Sequence, residues 1–95
     1  MFGRAPLPPS QASYAWTDQV QQTVLNAHPV PARRAQIDMP SVRVTARVIW
    51  STDGEETIAG TSDAYCGRLI LVHTRELRLD VRSIWLDVTD VERHI

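Results

Sequence analysis

Ninety-five residues are enough for one hydrophobic core and too few for two. Hydrophobic residues make up 43% and charged residues 22%, which excludes disordered and collagen-like chains. A formal net charge of -1 gives no electrostatic argument for a nucleic-acid or membrane-surface partner.

The charges are unevenly placed. Residues 1–47 carry five arginines against Asp18 and Asp38, while residues 48–95 carry five arginines against nine acids. All ten basic residues are arginine, a bias that codon usage in a GC-rich genome explains more simply than selection for bidentate contacts. The single Cys66 cannot form an internal disulfide, which suits a reducing cytoplasm. Prolines at 6, 8 and 9 interrupt the apolar stretch a signal peptide needs, and no run reaches transmembrane length. The expected location is the cytoplasm or the interior of a phage assembly.

In chain order, residues 1–16 read as an extended proline-rich arm, with Pro6-Leu7-Pro8-Pro9 at PxxP spacing. Residues 17–27 read as a short amphipathic helix. Asp18 and Gln21 stand at capping-box spacing, Trp16, Val20, Val24 and Ala27 share one side, and Pro29 stops propagation. Residues 28–40, with Pro29, Pro31 and Pro40 around Arg33 and Arg34, read as a connector, and the domain proper is placed at 41–95.

Val42, Val44, Ala46, Val48 and Trp50 alternate with Arg43, Thr45, Arg47 and Ile49, the period of a strand with one buried face. Asp53-Gly54 signals a hairpin turn, since glycine tolerates the positive φ that such turns require. A second strand is expected over 55–59, a bulge or bend at Gly60, and a third short strand over 61–65. After Gly67, the Leu69–Val72 run reads as a strand buried on both faces. Leu77, Leu79 and Val81 read as a loop or edge strand, Ile84-Trp85-Leu86 as a final strand, and 87–91 as a tight helical turn.

The expected fold is therefore mainly β, a small antiparallel barrel of four to six strands with an extended N-terminal arm and one short helix. The alternating strand ending in Trp50, the Asp53-Gly54 turn, Gly60, the Leu69–Val72 strand and Trp85-Leu86-Asp87 together resemble an SH3-like or Tudor-like barrel over residues 41–93. The same stretch is similar in composition to short proteins of actinobacteria and their phages. Tudor-like readers of methylated residues use an aromatic cage, for which only Trp50, Tyr65 and Trp85 are available here.

No catalytic motif stands out. His28, His73 and His94 have no metal-ligand spacing with one another or with Cys66, so neither a metal nor a cofactor is expected. The acidic groups Glu55-Glu56 and Asp87, Asp90, Glu92 are explained by turn solvation and capping. There is no phosphate-binding glycine loop or nucleophile elbow, so an enzyme is not expected, nor a small-molecule substrate.

The leading expectation is a protein-protein interaction module within a larger bacterial or phage assembly. Its contact residues would be Phe2, Leu7, Tyr14, Trp16, Val20 and Val24, apolar side chains that the domain would leave uncovered. The alternative is a nucleic-acid-associated or transcription-associated factor using an arginine strip of Arg33, Arg34, Arg43 and Arg47.

Overall fold

The computed structural model describes residues 21–94. They form one five-stranded antiparallel sheet in the order β4-β3-β2-β1-β5. The strands are β1 Ile37–Trp50, β2 Gly54–Cys66, β3 Leu69–His73, β4 Ser83–Asp87 and β5 Val91–His94. One-turn 3-10 helices lie at Arg33–Ala35 and Val88–Asp90.

The alternation read in β1 buries its expected face. Val44, Ala46, Val48 and Trp50 are 0–2% exposed, and they join Val24, Ile58, Val72, Ile84 and Leu86 in the core. Burying a valine-sized side chain is worth roughly 1.5–3 kcal/mol, so this row is a large part of the cohesion of a domain this small. Trp50 pairs with Gly54, whose φ of 80° closes the first hairpin. Gly67, at φ 58°, opens the two-residue turn between β2 and β3.

Four expectations are corrected. β1 begins at Ile37 rather than near Ser41 and runs through Pro40. Proline, lacking the ladder donor, is tolerated there because the β1–β2 register shifts between Asp38 and Val42. The two short strands expected on either side of Gly60 are one strand, β2, in which Gly60 pairs regularly with Val44. The reason for glycine lies in packing, since a Cβ at that position would collide with the His73 carbonyl oxygen. β3 is not buried on both faces, for only Val72 is fully buried. The second buried patch beyond the β2 irregularity instead contains Ala64 and Trp85, joined through Leu71 in one cross-strand row.

The fourth correction concerns the N-terminal segment. Residues 21–27 are not helical. They lie along the edge of β1 that β5 leaves open: the Leu25 N–H donates to the Ile49 carbonyl at 2.7 Å, and the Ser51 N–H donates to the Thr23 carbonyl at 2.8 Å. The chain then crosses to β4, where the His28 N–H donates to the Trp85 carbonyl at 2.8 Å. One short segment thus satisfies backbone groups on two separate strands, which edge groups require when they are removed from water. Asn26 extends the ladder with its side chain. Its Oδ1 accepts from the Ile49 N–H at 2.9 Å while its Nδ2 donates to the Arg47 carbonyl at 2.9 Å.

Candidate functional site

The expected contact residues Phe2, Leu7, Tyr14, Trp16 and Val20, the arm, and the first part of the expected helix lie outside the described residues. Val24 does not serve as an exposed anchor. It is 6% exposed within the core and bridged to Trp50, because the strand-like path of residues 23–25 turns its side chain inward. The neighbouring Leu25 is 63% exposed. Beside Gln21 and Gln22 lies an open groove of about 370 Å³ whose apolar wall is Val24, Ala27, Leu79 and Ile84.

The loop 74–82 is held over the first hairpin by Arg78. Its guanidinium pairs with Glu56 at 2.7 Å and with Asp53 and Glu76 at 2.8 Å, and stands 4.3 Å from the Trp50 ring centroid. These contacts raise the Arg78 pKa, chiefly through Glu56, and hold the Glu56 and Glu76 carboxyls below their usual range. Asp53 is also lowered, first by the Gln22 side-chain amide and then by Arg78. Gln22 in turn donates its backbone N–H to the Arg78 carbonyl at 2.7 Å, tying the N-terminal segment to the loop.

The expected arginine strip does not assemble. Arg33 and Arg34 sit exposed on their 3-10 turn, and Arg47 is engaged by two carboxylates, with its Nε 3.1 Å from Glu55 and its Nη1 3.0 Å from Asp90. A guanidinium so held has little charge left for a phosphate. Arg43 instead meets Arg75 and Arg82 of the 74–82 loop around a cleft of about 570 Å³, with Gly60, Thr61 and His73 in its lining. None of these three arginines is in an ion pair among the described residues. Sequence reading missed Arg75 and Arg82 because the alternation over 77–82, read as a loop or edge strand, does not show which distant residues the ends of that segment meet. The signal that could have found them is the β3–β4 pairing, which draws the loop's two ends together, with the Thr74 N–H donating to the Arg82 carbonyl at 3.0 Å.

His73 is fixed in this cleft from both sides. Its Nε2 lies 2.8 Å from Asp63 Oδ1 and its Nδ1 2.7 Å from Ser83 Oγ. A carboxylate can only accept, so Nε2 carries the proton, and in the neutral ring Nδ1 accepts from the serine hydroxyl. These are the side-chain types of a nucleophilic triad. The setting is that of a strap across three strands: Ser83 lies within β4 rather than on an exposed turn, and the His73 and Asp63 side chains are 39% and 49% exposed. Base catalysis gains most where water is excluded.

Trp50 and Trp85 are 1% and 3% exposed, so they are core side chains and do not form an open cage with Tyr65. Among the described residues no group of His, Cys, Asp or Glu is arranged to hold a metal ion, and no helix is long and apolar enough to cross a membrane. No family model, curated protein or solved structure matches this chain.

Proposed function

We propose that the protein is a non-catalytic interaction module of a larger bacterial or phage assembly, in which the sheet is the rigid support and the first twenty residues carry the partner contacts. The observation that carries this reading is the clamping of residues 22–28 onto both β1 and β4. The clamp fixes the point at which the preceding segment joins the sheet, and that segment supplies Phe2, Leu7, Tyr14, Trp16 and Val20 as the proposed contacts. Exposed Leu77 and Val81 lie on the 74–82 loop beside Gln21. Tryptophan and tyrosine, present here as Trp16 and Tyr14, are enriched among the side chains that carry most of the energy of protein interfaces.

We read the architecture as an SH3-like barrel. The strand order and the 3-10 turn between β4 and β5 support that reading, as does the N-terminal segment bridging β1 and β4. The arginine-only basic composition supports a source with a GC-rich genome.

The test is affinity purification from the native host of the full-length chain, a chain beginning at Gln21, and a Trp16→Ala variant. Cutting at Gln21 keeps the clamp, whereas cutting at Pro40 would remove Val24 from the core. A protein recovered with the full-length chain, reduced by Trp16→Ala and lost on truncation, with weak salt dependence, supports the module. Equal recovery by all three rejects it.

A further inference from the structure

We propose that the cleft between β1 and the 74–82 loop binds the phosphate backbone of a nucleic-acid strand, with Arg43, Arg75 and Arg82 as the phosphate contacts. The three guanidiniums approach one concavity from two elements, and its floor is open because β2 places the small residues Ala59 and Gly60 there. Guanidinium groups prefer paired contacts with carboxylate or phosphate oxygens, and these three have no carboxylate partner among the described residues. Much of the molecule's negative charge is engaged elsewhere, and the carboxylate nearest the cleft, Asp63, is taken by His73. Asp53, Glu56 and Glu76 face Arg78, Glu55 and Asp90 face Arg47, and Asp87 faces Arg68. The modest overall charge therefore hides a locally cationic cleft.

The register extends this cleft into a track. Ser83 pairs with His73, His73 with Thr61, Thr61 with Arg43, and Arg43 with His94, so one polar row crosses all five strands. Four inter-strand steps of about 4.8 Å give it a length of about 19 Å, enough for several successive phosphates. The row holds hydroxyl, imidazole and guanidinium groups, and because the His73 ring is engaged by Asp63 and Ser83, the phosphate contacts fall to the arginines. Contacts from guanidiniums to phosphates carry no sequence information, so the binding proposed is to the backbone.

An extended acidic peptide is the competing ligand. Peptides commonly add to a sheet at a free edge, and here residues 22–28 already occupy edge positions on β1 and β4. The observations favour a ligand that crosses the strands through side-chain contacts.

Fluorescence anisotropy of a labelled oligothymidylate of about 16 nucleotides with the full-length protein tests the proposal. Three phosphate contacts predict that log affinity falls against log salt with a slope of about -2. Combined Arg43→Ala, Arg75→Ala and Arg82→Ala should weaken binding at least about tenfold and flatten that slope. Arg33→Ala with Arg34→Ala, which removes two exposed charges outside the cleft, should change affinity by less than about twofold. If the triple variant fails to fold, Arg75→Gln and Arg82→Gln are measured singly, and each should lower the slope by about 0.7. An unchanged affinity in the cleft variants overturns the proposal, as does an equal loss in the Arg33/Arg34 control. Tighter binding of an oligoglutamate peptide assigns the cleft to acidic protein instead. Equal binding of inorganic phosphate reduces it to a small-anion site and rejects the track. None of these variants alters the residues assigned to the protein partner, so the two readings fail separately.

Discussion

Single atoms decide two positions in the sheet. Gly60 faces the His73 carbonyl so closely that a methyl group needs the β2–β3 contact to open. Gly60→Ala should therefore destabilise the protein by about 2 kcal/mol, readable as a lower denaturant midpoint with an unchanged slope. Ser62 presents the opposite case. It is fully buried and its hydroxyl has no hydrogen-bond partner among the described residues. Removing an unsatisfied buried hydroxyl relieves its desolvation cost, so Ser62→Ala should raise stability by about 1 kcal/mol. A loss of stability there would show that the hydroxyl is satisfied in solution. The sequence offered Gly60 as a bulge because glycine in a strand signals either a bulge or a close approach. Local pattern cannot separate the two, since the approaching carbonyl belongs to a residue thirteen positions later.

Among elements, β1 was legible because burial of one face forces strict alternation, and the Asp53-Gly54 turn was legible because few residues accept its positive φ. The segment around Val24 was not. Its apolar spacing fits a helix, yet its backbone hydrogen bonds go to Ile49 and Ser51, where β5 leaves the edge of β1 uncovered, and to Trp85 of β4. Local propensity yields here to an unpaired edge formed by distant residues. Asn26 carries the most telling contact. Asn26→Ala leaves the Ile49 N–H without its acceptor, and the expected cost is about 1–3 kcal/mol in thermal or denaturant unfolding. An unchanged midpoint would mean that water replaces the side chain and that the segment is held by backbone bonds alone. The arginine strip was misread for a similar reason. Arg47 lies on the exposed face as expected, but its partners Glu55 and Asp90 reach it across the hairpin and from the turn before β5.

For the whole molecule, electrostatics links stability to pH in a definite direction. Asp53, Glu56 and Glu76 are lowered by the Gln22 and Arg78 contacts already described, and Asp87 is lowered by the Thr89 hydroxyl and N–H and then by Arg68. Each of these carboxyls binds a proton more readily in the unfolded chain than in the folded one. Their contribution is complete above the ordinary carboxylate range and is lost progressively as pH falls below about 4.5. Thermal midpoints should be level from pH 5 to 7 and drop below that point. Arg78→Lys, which cannot span three carboxylates, should flatten the drop. A midpoint that stays level down to pH 3 would remove these ion pairs from the account.

The arrangement of the molecule turns on residues 22–28 pairing with the sheet, because they cover the part of the β1 edge that β5 leaves open and reach across to β4. Amide hydrogen exchange on the full-length protein measures this directly. The Leu25 and His28 amides, which donate to Ile49 and Trp85, are expected to exchange as slowly as amides of β1 that face β2, such as Val48 opposite Glu56. Exchange of Leu25 and His28 at the rate of an unfolded chain, beside a protected β1, would contradict this arrangement.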